Sequence, residues 1–126
     1  MMAQLTRVLI TDDSARAREG LRALLATWPE IMVVGEAADG QEAVELVADC
    51  RPDIVLMDLH MPVLDGMQAT RLIKQRWPAV TVIVLTMYAV EQSAAIAAGA
   101  DAFVIKGSAP ERLLTALGIG VASGQP

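Results

Sequence analysis

The sequence predicts a single α/β domain in which five strands alternate with five helices, and three observations support this fold class. The chain has 126 residues, of which 54% are hydrophobic, so it can bury one core but has no room for a second domain. Short β-branched apolar runs recur along the chain, and longer helix-like stretches separate them. This alternation is typical of a parallel sheet with helices on both faces.

The elements follow one another in five strand–helix units. In each unit, a short apolar run predicts the strand and the amphipathic stretch after it predicts the helix. The predicted strands span residues 8–10, 32–34, 54–57, 80–85 and 102–105. The predicted helices span residues 16–27, 41–49, 67–76, 91–98 and 110–117.

Two of these helices carry a clear apolar stripe that we expect to pack on the sheet. Residues at helical spacing form the stripes: Leu21, Leu24, Leu25 and Trp28 in the first helix, and Leu113, Leu114 and Leu117 in the last. Charged residues such as Arg18 and Lys74 are expected on the solvated faces of their helices.

Turn-forming and capping residues mark the ends of several elements. Asp39-Gly40 and Asp65-Gly66 precede the second and third helices, where glycine would tolerate a positive φ. Ser14 is the predicted N-cap of the first helix. Ser108 and Glu111 form a predicted capping box before the fifth helix.

Charge and composition exclude several classes of function. The chain has 10 Lys and Arg against 15 Asp and Glu, a net charge of −5, so we expect it to bind neither nucleic acid nor an anionic membrane surface. Its apolar stretches are shorter than the ~20 residues of a membrane helix. The single cysteine, Cys50, cannot form an intramolecular disulfide, which suits the cytoplasm.

Polar residues follow four of the predicted strands, at the point where each apolar run ends. They are Asp12 and Asp13, Asp58, Thr86, and Lys106. The carboxyl ends of parallel strands lie along one edge of a sheet, so we expect these side chains to converge. Three carboxylates in one crevice need a cation, and an all-oxygen set with few protein ligands favours Mg²⁺.

The same residues provide what phosphoryl transfer requires. A bound Mg²⁺ lowers the electrostatic barrier to an anionic phosphoryl group that approaches the anionic Asp58. Lys106 would balance the remaining negative charge, and the hydroxyl of Thr86 would donate a hydrogen bond. Asp58 is therefore the predicted nucleophile, and it would form an acyl phosphate.

With these residues in place, the chain resembles the receiver domain of two-component response regulators from Val8 to about Leu117. The resemblance rests on Asp12-Asp13, on the segment DLHMPVLDG at residues 58–66, on Thr86, and on GADAFVIK at residues 99–106. Each motif alone is weak, but their order and their positions at strand ends make the match specific. The resemblance implies a flavodoxin-like, doubly wound (βα)₅ fold with strand order 2-1-3-4-5.

The resemblance also implies a role for each site residue. Asp58 is the phosphoacceptor, Asp12, Asp13, Asp58 and the backbone carbonyl of His60 hold Mg²⁺, Thr86 and Phe103 are switch residues, and Lys106 is the site lysine. The implied donor is a sensor histidine kinase. Phosphorylation would change the face formed by the fourth helix, fifth strand and fifth helix, which would then favour a partner or a homodimer.

One motif departs from the family pattern, which commonly has Lys-Pro after the fifth strand. Here Lys106-Gly107 takes that place, and a cis bond before glycine would cost about 2.5–4 kcal/mol. This departure and the segment at residues 108–114 look more like receivers attached to LuxR-type or NarL-type helix-turn-helix output domains. We therefore expect a receiver at residues 1–118, a tail or linker at 119–126, and control of a DNA-binding output domain absent from this chain.

Other interpretations of the same residues stay open at this point. A small Mg²⁺-dependent aspartyl-phosphate phosphohydrolase would need a second acid two residues after the nucleophile, where His60 stands. A flavin-binding module of the same fold would need a phosphate loop after the first strand, where the acidic pair has the wrong charge. Phe103 could simply be a core residue.

Overall fold

The computed structural model describes residues 5–118, and their five strands form one parallel sheet. The strands are β1 (Thr6–Thr11), β2 (Ile31–Ala37), β3 (Ile54–Asp58), β4 (Thr81–Thr86) and β5 (Ala102–Ile105). Their order is β2-β1-β3-β4-β5, which confirms the predicted fold and strand order. The predicted tail at residues 119–126 lies outside the described residues.

In this described part of the chain, five α-helices connect and flank the strands. They are α1 (Ala15–Leu25), α2 (Gly40–Cys50), α3 (Gly66–Arg76), α4 (Gln92–Ala97) and α5 (Pro110–Leu117), with a short 3₁₀ turn at Ala89–Glu91 before α4. Within residues 5–118, no helix has both the length and the apolar character that crossing a membrane would require.

Alternating strand residues divide the core into two layers, one on each face of the sheet. On one face, Leu9, Val55, Met57, Val82 and Val84 pack with buried residues of α2, α3 and α4. On the other face, Val8, Ile10, Leu56, Ile83 and Leu85 pack with α1 and α5. Every predicted stripe residue except Leu114 lies in this second layer, where Leu25, Leu113 and Leu117 are buried, although α1 ends at Leu25, before Trp28. The sheet is therefore covered on both sides, and polar side chains are left at its rims.

The starts of α1, α2 and α3 are capped by side chains, of which the sequence pattern predicts only Ser14. The Ser14 hydroxyl accepts a hydrogen bond from the backbone N–H of Ala17, which confirms that cap. Asp39 and Asp65 cap α2 and α3 in the same way. Each cap satisfies a backbone donor that the first turn of a helix leaves free.

The expected reason for glycine after two of these caps is wrong. Gly40 and Gly66 are the first residues of their helices, and neither has a positive φ. They are needed because the backbone is crowded there: a Cβ would lie 2.1 Å from the Leu64 carbonyl oxygen at Gly40, and 2.0 Å from the Asp58 carbonyl oxygen at Gly66. Gly66 thus lets the start of α3 pack directly against the end of β3.

The predicted capping box before α5 is also wrong. Ala109 is the N-cap residue and makes no side-chain cap, while the Ser108 hydroxyl donates to the Ile105 carbonyl oxygen at 2.6 Å. Ser108 stands one position too early because Pro110 takes the first helical position. The Lys106–Gly107 bond just before is trans, and Gly107 has φ of +82°.

The β4–α4 connection differs from the prediction in a way that affects the site. The predicted fourth helix, residues 91–98, is a 3₁₀ turn at Ala89–Glu91 followed by the shorter α4. The backbone N–H of Glu91 bonds to the Tyr88 carbonyl oxygen at 3.1 Å within this turn. Glu91 therefore belongs to the loop after β4, close to the carboxyl rim of the sheet.

Candidate functional site

Three carboxylates meet at the carboxyl rim of the sheet. Asp12 and Asp13 directly follow β1, and Asp58 is the last residue of β3. One oxygen atom of each lies within 4.8 Å of the others. Asp12 and Asp58 are buried, whereas Asp13 is exposed and leaves the group open to solvent on one side. This set of hard oxygen donors could hold a metal ion, and its open side suits an ion that keeps bound waters, as Mg²⁺ does.

Among residues 5–118, one ammonium group faces these carboxylates. Lys106 follows β5, and its Nζ atom donates to Asp12 Oδ2 at 2.8 Å and lies 3.3 Å from Asp58 Oδ1. Its backbone N–H bonds to the Thr86 carbonyl oxygen at 2.8 Å, which anchors the end of β5 against β4. One positive group against three carboxylates leaves the crevice negatively charged, so it favours a further cation.

The pKa of Asp58 is raised by its surroundings in the crevice. Burial raises the pKa of Asp58, and the charge of Asp12 adds to the increase. The charge and hydrogen bond of Lys106 oppose it, together with a backbone hydrogen bond from His60, but the net pKa stays above the ordinary value. The ionised carboxylate is therefore held in the folded protein at a cost in free energy.

The pKa of Lys106 is also raised, which favours its charged form beside these carboxylates. Burial acts to lower the pKa of its ammonium group, but the hydrogen bond to Asp12 and the negative charges of Asp58 and Asp12 outweigh burial, so its pKa is raised. The lysine is thus held in its charged form between two carboxylates.

Several contacts fix the loop that carries the acidic pair, and the sequence pattern did not predict one of them. The backbone N–H of Ser14 donates to Asp12 Oδ1 at 2.9 Å, which orients that carboxylate. Arg18 was expected on a solvated face, but its guanidinium donates to the Asp12 carbonyl oxygen at 2.7 Å and pairs with Glu36 on β2 at 3.2 Å. The signal was its position one turn into α1, where a side chain can reach back to the loop.

Thr86 occupies the predicted place at the end of β4, but its hydroxyl has an unforeseen partner. The side chain is buried, and its hydroxyl donates to Glu91 Oε1 at 2.5 Å. His60 Nε2 lies 2.9 Å from Glu91 Oε2, and the His60 ring packs edge-on against Tyr88 with ring centroids 5.7 Å apart. Partial burial acts to raise the pKa of Glu91, but the hydrogen bonds from Thr86 and His60 outweigh it and lower the pKa.

Sequence reasoning missed Glu91 because it placed this residue in a helix. The available signal was its position as the first acid after Thr86, in a segment with exposed Met87 and Val90 that lacks a helical apolar stripe.

A cleft and a groove are each lined by residues of the predicted site. A cleft of about 610 Å³ beside the carboxylates is lined by residues that include Asp13, His60 and Glu91. A groove of about 800 Å³ lies between α4 and α5, and Phe103 and Arg112 line it. Phe103 is partly buried and packs against the core layer of α2, α3 and α4. The structure thus brings Asp12, Asp13, Asp58 and Lys106 together, whereas Phe103 lies on the neighbouring groove.

Comparisons with known proteins agree with this geometry. The sequence profile of the response regulator receiver domain matches residues 8–118. The chain is 44% identical over 110 residues to the uncharacterized transcriptional regulatory protein YhcZ of Bacillus subtilis (strain 168), covering 86% of this chain and 51% of that protein. The chain spans about half the length of the curated relatives of this kind that it matches.

Solved structures show the same architecture. The chain superimposes with a TM-score of 0.86 and 37% identity on a LuxR-family two-component response regulator from Aurantimonas sp. SI85-9A1, covering 97% of this chain and 88% of that one. It also superimposes with a TM-score of 0.86 and 30% identity on the signal receiver domain of the putative response regulator NarL from Mycobacterium tuberculosis, covering 98% of this chain and all of that one.

Proposed function

This chain belongs to the receiver domain family of two-component response regulators, and from that premise we propose that it is a phosphorylation-dependent switch with Asp58 as its phosphoacceptor. The observation that carries the proposal is the position of the Lys106 ammonium, which bonds to Asp12 and lies 3.3 Å from Asp58. This arrangement provides a buried carboxylate nucleophile with a fixed positive charge beside it.

The proposed donor is the phosphohistidine of a sensor histidine kinase. An Asp58 oxygen forms a bond to phosphorus while the bond from phosphorus to the histidine nitrogen breaks, and the nitrogen keeps the electron pair. Lys106 then pairs with the phosphoryl oxygens, and the chain itself provides the groups for phosphorylation and dephosphorylation. When bound, Mg²⁺ supplies further positive charge for these oxygens, and Asp12, Asp13, Asp58 and the His60 carbonyl would hold it.

The proposed response links Asp58 to the output face formed by α4, β5 and α5. The Thr86 hydroxyl turns toward the new phosphoryl oxygens and leaves space that Phe103 fills, which shifts the population between two packings. The groove of about 800 Å³ beside Phe103 lies on this face, where a rearrangement would change what binds. We propose that the change favours a partner or a homodimer and controls a DNA-binding output region, as the transcriptional regulators among the relatives suggest.

The alternative of an aspartyl-phosphate phosphohydrolase is not favoured. Such an enzyme needs an acid two residues after its nucleophile, and here that position is His60, whose ring lies against Glu91 and Tyr88.

The proposed location is the cytoplasm, because the one cysteine of the described residues, Cys50, is free and suits a reducing compartment.

The test is phosphorylation by acetyl phosphate with Mg²⁺, followed by intact-protein and peptide mass spectrometry. We expect one phosphoryl group on Asp58 in the wild type and none in Asp58→Asn, while Asp49→Asn on the far end of α2 behaves like the wild type. Lys106→Ala should still accept the group but lose the change in NMR signals around Phe103. Labelling of Asp58→Asn to the wild-type level would overturn the assignment.

A further inference from the structure

The hydroxyl of Thr86 has a single proton, and the structure shows where it goes. It donates to Glu91 Oε1 at 2.5 Å, a short bond of the charge-assisted kind. The hydroxyl oxygen of Thr86 in turn accepts from the backbone N–H of Tyr88 at 3.3 Å. Because Thr86 is 1% exposed, water does not offer the hydroxyl an easy alternative partner. Its orientation is therefore set by Glu91.

Glu91 has a second partner in His60. His60 Nε2 lies 2.9 Å from Glu91 Oε2 and 3.1 Å from Glu91 Oε1, and the His60 ring rests edge-on against Tyr88. Glu91 stands at the N-cap position of α4, yet its side chain makes no capping hydrogen bond. Its carboxylate is directed at the Thr86 hydroxyl and not at the free backbone N–H groups of the first turn.

We propose that Glu91 is a positioning residue that holds the Thr86 hydroxyl in its inactive orientation, so that a phosphoryl group on Asp58 must compete with Glu91 for the Thr86 proton. The inference rests on the proposed function of Asp58. Thr86 can donate to only one acceptor at a time, so the bond to Glu91 must break before the switch can form. Glu91 thereby sets how much of the protein is switched at a given phosphoryl occupancy.

A second effect of Glu91 has to be separated from this one. Glu91 lines the same cleft as Asp13, so its negative charge can also repel an anionic group at the site without any involvement of Thr86. The two effects differ in one respect: positioning requires the Thr86 hydroxyl, whereas repulsion does not. A double-mutant cycle between Glu91 and Thr86 distinguishes them.

The first experiment titrates beryllofluoride with Mg²⁺ into the isotope-labelled protein and follows backbone amide signals at Asp58 and Thr86. We expect Glu91→Ala to bind about tenfold more tightly than the wild type, the effect of losing one competing charge-assisted hydrogen bond. Glu91→Gln should gain less because its amide oxygen still accepts from Thr86. The exposed Glu45→Ala on α2 serves as the charge-matched control and should bind like the wild type.

The cycle is completed in a Thr86→Val background, where the hydroxyl is replaced by a methyl group. Glu91→Ala should then have no effect on beryllofluoride affinity. An equal gain in both backgrounds would overturn the proposal in favour of simple repulsion, and so would the absence of any gain in the wild-type background.

The second experiment needs neither Mg²⁺ nor beryllofluoride. Three-bond couplings should report a single Thr86 χ1 rotamer in the wild type and averaging between rotamers in Glu91→Ala. Unchanged couplings would overturn the proposal. If the wild type fails to bind beryllofluoride at Asp58, the proposed function fails, but these couplings still decide whether Glu91 positions the hydroxyl.

Discussion

Both rims of the sheet carry charged side chains, but the acids Asp53 and Asp101 at the amino rim are exposed, whereas Asp12 and Asp58 at the carboxyl rim are buried, and the two sets have different kinds of partner. At the amino rim, where the strands begin, Asp53 accepts from the backbone N–H of Arg7 at 2.8 Å. Asp101 accepts from the backbone N–H of Val82 at 2.8 Å and pairs with Lys74 at 2.9 Å. Lys74 also donates to the carbonyl oxygens of residues 78 and 80, so it is not on a solvated face as expected.

At the carboxyl rim the charges mainly face one another. Asp12 and Asp58 share the Lys106 ammonium, Asp13 lies within the same small group, and the pKa of Asp58 is raised. At the amino rim, charged side chains thus form hydrogen bonds with backbone groups. At the carboxyl rim, the carboxylates outnumber the positive groups, so a ligand has to balance the excess negative charge. Folded proteins accept such unfavourable clusters mostly where function requires them.

The largest expected effect comes from disturbing the backbone that supports the carboxyl rim. Gly66→Ala would place a Cβ 2.0 Å from the Asp58 carbonyl oxygen, so either β3 or α3 has to move. We expect a loss of about 3 kcal/mol in the free energy of unfolding, measured by urea denaturation. Gly20→Ala, in α1 with nothing within 4 Å of its Cβ, is the control and should gain about 0.5–1 kcal/mol. Equal effects at the two sites would show that the rim is not closely packed.

The next effect concerns the amino rim alone. Asp101→Ala leaves the Val82 N–H without its acceptor and Lys74 without its ion pair. We expect a loss of about 2 kcal/mol in the free energy of unfolding, with unchanged Mg²⁺ affinity. Asp101→Asn keeps an acceptor oxygen and should lose less. Weakened Mg²⁺ binding in either variant would mean that the two rims are not independent.

A substitution at the phosphoacceptor should act in the opposite direction. The pKa of Asp58 in the folded protein is raised above its ordinary value of 3.8, so the ionised carboxylate destabilises the fold. That cost is absent below the unfolded pKa and grows as pH rises through the folded pKa. Asp58→Asn should therefore raise the melting temperature by a few degrees at neutral pH.

The pH dependence provides the control for this prediction. The difference in melting temperature between Asp58→Asn and the wild type should shrink as the pH falls toward the ordinary pKa of 3.8. A variant that is less stable than the wild type at neutral pH would show that the bond to Lys106 outweighs burial and the Asp12 charge.

The smallest effect on stability is expected at the exposed member of the cluster. Asp13→Asn should change the free energy of unfolding by less than about 0.5 kcal/mol without metal. With saturating Mg²⁺, it should lose most of the increase in melting temperature that the wild type shows. Asp49→Asn removes a charge of the same type from the far end of α2 and should keep the full increase. Equal Mg²⁺ responses in the two variants would argue for diffuse counterion binding.

Much of the fold can be predicted from the pattern of apolar residues in the sequence, because apolar runs mark the segments that are buried. The apolar runs gave all five strands and the strand-end positions of the site residues, since a parallel sheet places its carboxyl ends together. The pattern located the ends of the strands less well. The predicted second strand covered only residues 32–34, whereas β2 spans Ile31–Ala37, because Gly35 and Glu36 interrupt its apolar run. Strand pairing continues through polar residues that periodicity cannot assign.

The parts that sequence could not provide depend on where side chains turn. Arg18 reaches the Asp12 carbonyl oxygen and Glu91 reaches Thr86, and in both cases a charged residue assigned to a helix serves the carboxyl rim. The roles of Thr86, Phe103 and the His60 carbonyl stay predictions, because they concern a phosphorylated or metal-bound state.

The most direct test of the contrast between the rims is an Mg²⁺ titration of the isotope-labelled wild-type protein, read at every backbone amide. We predict saturable changes around Asp12, Asp13, Asp58 and His60 at the carboxyl rim, and none around Asp53 or Asp101 at the amino rim. Changes of similar size at both rims, or saturation at the amino rim alone, would contradict the account.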